Sequence, residues 1–181
     1  MTVTAGRDEA VSSGFGPIAD PGIRVLILGS LPSRRSIAVG QYYGHPRNAF
    51  WRIMGELVGA GPDRPYSQRT ERLLAAGIGL WDVLQSSIRP GSMDADIDLR
   101  SAKPNDFGRF LEEHPGIGRI CFNGRKAADL FRRMNCLSGP ATCNGTEFIT
   151  LPSTSPAFAA MALEEKIARW SVVIEPVETV R

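Results

Sequence analysis

The sequence predicts an α/β protein with three layers, in which a central four-stranded parallel sheet is covered by helices on both faces. Short apolar runs rich in β-branched residues alternate along the chain with segments whose apolar residues recur at helical spacing. In addition, no internal repeat or linker interrupts the 181 residues, a length that suits one domain with a single core.

The first half of the chain contains two predicted strands and two predicted helices. Residues 23–28, "IRVLIL", form an apolar run that is typical of a buried parallel strand. From Asn48 onward the pattern changes to apolar residues at helical spacing, so a helix is predicted to follow Asn48 and to end at Gly59. A second helix is predicted over 67–77, "SQRTERLLAAG", and a second strand over 78–84, "IGLWDVL".

The second half repeats this alternation. It begins with a polar, turn-rich segment over 85–103, which is predicted to be a loop. The elements predicted after it are a helix over 104–114, a strand over 118–124, a helix over 125–134, a strand over 147–152 and a closing helix over 158–174.

The N-terminal segment is expected to be less ordered than the rest of the chain. Residues 1–20 lack the charged and then apolar pattern of a secretory signal, and we predict a flexible N-terminal tail there, followed by a single domain over 21–175. No apolar run approaches the roughly 18 residues of a membrane span. A chain of this size needs no partner to bury its core, so a monomer is expected.

Cysteine and charge content narrow the function classes. Cys121, Cys136 and Cys143 cannot all pair, and no CxxC motif occurs. We therefore predict that the chain has no zinc or iron–sulfur site and that it lies in a reducing cytoplasm. The net charge of +2 neither favours nor excludes nucleic acid. Eighteen arginines against three lysines suit phosphate binding, although a GC-rich genome would give the same bias.

In open α/β sheets, ligands bind beyond the carboxyl ends of the strands. Four stretches are predicted to lie there: "GSLPS" (29–33), "WDVLQSS" (81–87), "FNG" (122–124) and "PSTSPA" (152–157). Directly after the first of them, "GQYYGHPRNAFW" (40–51) crowds two tyrosines, a histidine, an arginine, an asparagine and a tryptophan into one short segment. This crowding is expected at the mouth of a site.

Each candidate residue at this edge has a structural alternative. Gly29 allows a ligand to approach backbone N–H groups, or forms a plain tight turn. Tyr43 can stack on a base or pack in the core. Asn48 precedes a helix and is suited to be its N-cap. Asn123 offers the donor and acceptor that suit the edge of a base, or forms the turn in "NG". Asp82 could hold the site loops in place or act as a structural acceptor.

The motifs over residues 23–170 resemble, in order, those of the uracil-DNA glycosylase superfamily. They are the strand and turn "VLILGSLPS", the segment "YGHPRNAFW" and the serine-proline loop "LPSTSPA" (151–157), whose hydroxyl and N–H groups can contact DNA phosphates. The combination is most similar to the hypoxanthine-DNA glycosylase (DNA-deoxyinosine glycosylase) group, which is related to the mismatch-specific uracil-DNA glycosylases.

The chain departs from this superfamily at positions that matter for catalysis. Leu31 occupies the position where mismatch-specific enzymes place a catalytic asparagine, and Ser153 the position of a histidine in the major uracil enzymes. Three cysteines cannot supply the four that the iron–sulfur branch needs. The hypoxanthine group is thought to use the asparagine that corresponds to Asn48. The resemblance therefore implies that Asn48 orients the attacking water.

The resemblance implies a monofunctional enzyme of base excision repair that uses no metal and no cofactor and is associated with the nucleoid. It would hydrolyse the N-glycosidic bond of a deaminated base in DNA, with hypoxanthine as first and uracil as second substrate. No lysine falls in a motif, so Schiff-base chemistry is not expected. The residues implied to bind the base are Tyr43, Asn123, Gly29, Ser30 and Leu31. Those implied to contact DNA are Pro32, Ser33, Arg47, Ser153, Thr154, Ser155, Pro156, Ala157 and Phe158. Phe158 is either a wedge in the duplex or part of a helix core.

Two alternatives come from other function classes. The first is a serine hydrolase with Ser30 as nucleophile, but only His45 and His114 could serve as its base and the G-x-S-x-G elbow is absent. The second is a damaged-DNA-binding module without catalysis, which is consistent with the apolar Leu31, a residue that can neither orient nor deprotonate water.

Overall fold

The computed structural model describes residues 11–91, 93–134, 136–137 and 145–177. Its strands are β1 (Val11–Ser13), β2 (Val25–Gly29), β3 (Ile78–Asp82), β4 (Leu84–Ile88), β5 (Lys103–Pro104), β6 (Arg119–Asn123) and β7 (Glu147–Leu151). Its helices are α1 (Arg34–Val39), α2 (Phe50–Val58), α3 (Tyr66–Ala75), α4 (Phe107–Glu113), α5 (Arg125–Arg133) and α6 (Leu163–Trp170), and short 3₁₀ turns cover Asp94–Asp96 and Ser171–Ile174.

The predicted four-stranded parallel sheet is confirmed. Its strand order is β3-β2-β6-β7, and each neighbouring pair is parallel. Every residue of β2 is buried, and Ile27 lies between Leu80 on one side and Cys121 on the other. A central parallel strand is covered on both faces, which explains why β2 is a continuous apolar run rather than an alternating one.

Alternate residues of β2 enter two different cores, one on each face of the sheet. Leu26 and Leu28 pack in a cluster with apolar side chains of α4 and α5. Val25 and Ile27 pack in a second cluster with side chains of α2, α3 and α6. The period of two along the strand therefore produces the three-layer arrangement that the sequence predicts.

The chain after β2 forms a helix that sequence patterning does not reveal. Ser33 caps α1, because its Oγ accepts a hydrogen bond from the Ser36 N–H at 3.1 Å. The helix ends at Gly40, whose φ of 65° is left-handed. With only the six residues Arg34–Val39, α1 is too short to show a helical period.

The predicted loop over 85–103 is wrong in its first residues and at its end. β4 pairs antiparallel with β1 on one side and with β5 on the other, which gives a second sheet in the order β1-β4-β5. These strands are short and partly polar, and their partners are distant in sequence, so local patterning does not identify them.

The predicted flexible tail over 1–20 is wrong for residues 11–20. β1 pairs with β4, and Ile18 forms an isolated bridge with Leu80 of the central sheet. The Phe15 carbonyl accepts a hydrogen bond from Trp81 Nε1 at 3.2 Å. Residues 1–10 lie outside the described residues. The segment over residues 11–20 therefore covers the outer edge of β3.

The last helix is shorter than predicted. The pattern over 158–174 predicts one helix, whereas α6 begins at Leu163 and the chain continues as a 3₁₀ turn over Ser171–Ile174. Within the described ranges, no helix is long and apolar enough to cross a membrane.

Candidate active site at the carboxyl edge of the parallel sheet

A cleft of about 640 Å³ opens at the edge where β2, β3 and β6 end. All residues that the sequence predicts to touch base or DNA line this cleft: Gly29, Ser30, Leu31, Pro32, Ser33, Tyr43, Arg47, Asn48, Asn123, Ser153, Thr154, Ser155, Pro156, Ala157 and Phe158. Their individual roles stay predictions. The cleft is also lined by Ser36, Tyr42, His45, Asp82, Met93 and Ala95.

The floor of the cleft is built where two neighbouring strands end side by side. Gly29 and Asp82 are the last residues of β2 and β3 and are paired in register. A Cβ on Gly29 would lie 2.5 Å from Asp82 Oδ1 and 3.2 Å from the Tyr43 hydroxyl oxygen. The missing side chain therefore lets both polar groups approach the strand end. Asp82 is only 3% exposed, so this floor contains a buried carboxyl group.

Tyr42 is 3% exposed and belongs to the core. Its N–H donates to the Tyr66 hydroxyl at 3.0 Å, its carbonyl accepts from Trp51 Nε1 at 2.9 Å, and its hydroxyl donates to the Gly16 carbonyl at 2.9 Å. Burial raises the pKa of Tyr42 well above its ordinary value, and the Asp82 carboxyl adds to the shift. Tyr42 thus anchors the segment that carries Tyr43.

The next residue, Tyr43, is partly buried and lines the cleft. Its φ of 54° is left-handed, a conformation that costs a non-glycine residue about 1–3 kcal/mol and is concentrated at functional sites. Its ring stacks on the Phe50 ring with centroids 4.0 Å apart and an interplanar angle of 24°. One face of Tyr43 is therefore covered by Phe50.

The segment is also attached to α1. Ser36 Oγ accepts a hydrogen bond from the Gly44 N–H at 3.0 Å. Through this bond α1, the helix that the sequence does not predict, holds the turn that precedes His45. His45 Nδ1 accepts from the Arg47 N–H at 3.1 Å. These two bonds fix the backbone on the approach to Asn48.

Asn48 lies in the wall of the cleft at the start of α2. Its Oδ1 accepts a hydrogen bond from the Phe50 N–H at 2.9 Å, and its own N–H donates to the His45 carbonyl at 2.9 Å. The cap position itself is Ala49, which makes no side-chain cap bond. Asn48 therefore bonds to a backbone amide of the first helical turn. It does so from the position before the N-cap, whereas the capping alternative predicts that Asn48 is itself the N-cap. The same bond fixes the plane of its side-chain amide.

The serine loop is attached to β6 and to α2 through Thr154, which is 1% exposed. Asn123 Nδ2 donates to Thr154 Oγ1 at 2.8 Å, and the Thr154 N–H donates to Asn123 Oδ1 at 2.9 Å. The Thr154 carbonyl accepts from the Ala49 N–H at 3.0 Å. Within the loop, Ser153 Oγ accepts from the Ser155 N–H at 3.2 Å. Both polar atoms of the Asn123 side chain therefore bond to the loop.

Phe158 follows the serine loop and precedes α6 by several residues, so the helix-core alternative for it is wrong. Its side chain is 39% exposed at the rim of the cleft. Lys166 makes two contacts with Phe158: its Nζ donates to the Phe158 carbonyl at 2.8 Å and lies 5.1 Å from the centroid of the Phe158 ring. Burial lowers the pKa of the Lys166 ammonium below its ordinary value.

Sequence reasoning missed Ser36, Met93 and Ala95 among the cleft residues. Ser36 belongs to a helix too short to predict, and the other two lie in the segment predicted as a loop, where no motif marks them. Across the described ranges, no three His, Cys, Asp or Glu side chains are grouped so that they could hold a metal ion.

Comparisons with known proteins agree with this geometry. The sequence model of the Uracil DNA glycosylase superfamily matches residues 16–173. A hypoxanthine DNA glycosylase from Methanosarcina acetivorans is 40% identical over 151 residues, which cover 81% of this chain and 88% of that protein. A hypoxanthine DNA glycosylase from Methanosarcina barkeri is 39% identical over 117 residues, which cover 64% of this chain and 73% of that protein.

A solved structure supports the same assignment. It is the solution NMR structure of a Methanosarcina acetivorans protein provisionally assigned as a uracil DNA glycosylase, and it matches with a TM-score of 0.72 at 36% identity over 92% of this chain and 100% of that one. The enzyme class expected from the sequence, a DNA glycosylase that hydrolyses N-glycosyl bonds, is confirmed at the level of the superfamily. Because the family match spans most of the chain, this protein belongs to the uracil DNA glycosylase superfamily.

Proposed function

We propose that this protein is a monofunctional glycosylase of base excision repair that removes a deaminated base from DNA, hypoxanthine first and uracil second. The relatives named hypoxanthine DNA glycosylase support hypoxanthine as a substrate. The observation that carries the proposal is the position of Asn48, whose side-chain amide is held by the Phe50 N–H in the wall of a cleft at the sheet edge. Water is the nucleophile.

The cleft is large enough for a base outside the duplex. Its volume of about 640 Å³ is in the range of small-molecule sites. The target nucleotide must leave the stack at a cost of a few kcal/mol, which is least for a mispaired base. Phe50 already covers one face of the Tyr43 ring, so the base would stack on the other face.

The Asp82 carboxyl group supplies a means of selecting deaminated bases. Hypoxanthine and uracil carry a ring N–H at the position where adenine and cytosine carry an acceptor nitrogen. A carboxyl oxygen accepts a hydrogen bond from that N–H and is repelled by the acceptor. A carboxylate beside a departing anion also opposes its charge, so Asp82 would contribute selectivity rather than rate.

Bond cleavage gives the sugar oxocarbenium character and makes the base an anion. Backbone N–H groups of 29–33 would stabilise that anion, and a single such donor is worth roughly 3–4 kcal/mol. Asn48 would hold the attacking water. Since a neutral amide is a poor base, its contribution is orientation of the water. The serine loop and Arg47 would contact the phosphates.

The test is base release from a labelled duplex with a single deoxyinosine or deoxyuridine, measured under single-turnover conditions. We expect the wild type to release hypoxanthine faster than uracil, and adenine from an undamaged site far more slowly. Asn48→Ala should lower the hypoxanthine rate on the order of 100-fold, because the water loses its position. Gln68→Ala, which removes an exposed amide from α3, is the matched control and should keep the wild-type rate.

Three results would contradict parts of this proposal. Equal rates for Asn48→Ala and the control would leave Asn48 with only its structural bond to the Phe50 N–H and direct attention to Ser30, Ser153 and the backbone amides. Products of β-elimination from the purified protein would contradict a monofunctional mechanism. Tight binding to the lesion without base release would favour the damaged-DNA-binding module.

A further inference from the structure

The two hydrogen bonds between Asn123 and Thr154 form a closed pair. The side-chain amide donates to the threonine hydroxyl at 2.8 Å and accepts from the threonine N–H at 2.9 Å. Thr154 is 1% exposed, so both of its polar groups are bonded inside the protein rather than to solvent. Loss of the amide would leave a buried N–H and a buried hydroxyl without this partner, a state that is costly in a buried site.

The same threonine connects the serine loop to the helix that carries Asn48. Its carbonyl accepts the Ala49 N–H at 3.0 Å, and Ala49 follows Asn48 directly. A continuous set of hydrogen bonds therefore runs from the end of β6 through the serine loop to the start of α2. Gly124 makes this close approach possible, because a Cβ there would lie 3.0 Å from Ser153 Cβ.

We propose that Asn123 is a positioning residue that acts through Thr154, holding the serine loop and the start of α2 in fixed relation so that the DNA backbone and Asn48 are aligned. This inference rests on the proposed glycosylase function. It differs from a base-reading role for Asn123, because the oxygen and the nitrogen of its amide each already bond to Thr154.

The positioning role and the base-reading role predict different results when several lesions are compared. A positioning residue acts on the water and the backbone, so Asn123→Ala should lower the single-turnover rate for hypoxanthine, uracil and xanthine by the same factor, on the order of 100-fold. A base-reading residue discriminates by hydrogen-bond pattern, so its loss should change these rates by different factors. Unequal factors, or an unchanged rate, would overturn the proposal.

Substitutions at Thr154 test the pair from the other side. Thr154→Val removes the hydroxyl at nearly constant volume and should lower the rate for all lesions equally, whereas Thr154→Ser keeps both bonds and should restore most of it. Thr70→Val, which removes a hydroxyl that bonds to the Ser67 carbonyl on α3, is the matched control. In a double-mutant cycle, Asn123→Ala and Thr154→Val should be strongly non-additive. Additive losses would contradict the pair.

Hydrogen exchange provides a readout that does not need activity. The Thr154 and Ala49 N–H groups are both donors in this set of bonds. In Asn123→Ala, peptides covering residues 45–51 and 152–158 should exchange faster than in the wild type, while a peptide from α3 should not change. Unchanged exchange in both peptides would overturn the positioning role. If the wild type released no base, the glycosylase function would fail while this measurement still decided the structural claim.

Discussion

Gly29 controls how closely the polar groups of the site approach the strand end. The parallel register of β2 and β3 sets it opposite Asp82, and the hydroxyl of Tyr43 reaches the same point from the other side. Any side chain at position 29 would have to displace one of these groups. The absence of a side chain at Gly29 therefore determines the shape of the cleft floor.

We expect Gly29→Ala to reduce base release on the order of 100-fold, because the new Cβ meets Asp82 and Tyr43 and displaces the Tyr43 ring on which the base would stack. It should also destabilise the protein by about 1–3 kcal/mol, the usual cost of overpacking. Single-turnover rates and urea unfolding measure the two effects. Gly16→Ala is the matched control, since a Cβ there meets nothing within 4 Å. Equal rates for the two variants would show that the floor tolerates a methyl group.

The sequence predicts some of these residues better than others, for reasons that are visible in the structure. Asn48 and the serine loop belong to contiguous motifs, and the rule for parallel sheets predicts the edge where they meet. Asp82 acquires its position through the pairing of β3 with β2, and Asn123 acquires its partner through the loop after β7. Both relationships join residues that are distant in sequence, so neither can be derived from local spacing.

At the scale of elements, the period of the apolar residues predicts the central strands and most helices, because each of them buries a continuous face. The strands β1, β4 and β5 bury few side chains and depend on one another for pairing. The helix α1 is short, is capped by Ser33 and ends at Gly40. Prediction fails where an element is defined by its partners rather than by its own pattern.

The serine loop is followed by an exposed aromatic side chain, Phe158, that is suited to enter DNA. If Phe158 fills the gap left by the flipped nucleotide, Phe158→Ala should slow release from duplex DNA by about tenfold or more, with little effect on single-stranded DNA, where no gap forms. The ratio of the two rates is the measurement. Phe148→Ala removes another exposed phenylalanine, from β7 outside the cleft, and should leave the ratio unchanged. An unchanged ratio in Phe158→Ala would refute the wedge.

At the scale of the whole molecule, the two cores share one sheet, and titratable groups within them make stability depend on pH. Cys121 lies fully buried in β6, and burial raises the pKa of its thiol to about 12. Burial also raises the pKa of the Cys136 thiol to about 11. Cys143 lies outside the described residues. Neither Cys121 nor the partly buried Cys136 lines the cleft, so these shifts concern folding and not the reaction.

The sign of the resulting pH dependence follows from linkage. The unfolded chain releases the Cys121 proton around the ordinary pKa of 9.0, whereas the folded protein keeps it up to about pH 12. The stabilisation is therefore complete below pH 9 and is lost as the pH rises through this window. Between pH 9 and about pH 10, Cys121 should reduce the free energy of unfolding by roughly 1 kcal/mol. Urea unfolding of the reduced protein should show this fall in the wild type and a shallower fall in Cys121→Ala, whose constant loss of packing does not alter the slope. Parallel curves for the two proteins would mean that the thiol titrates at its ordinary pKa inside the sheet.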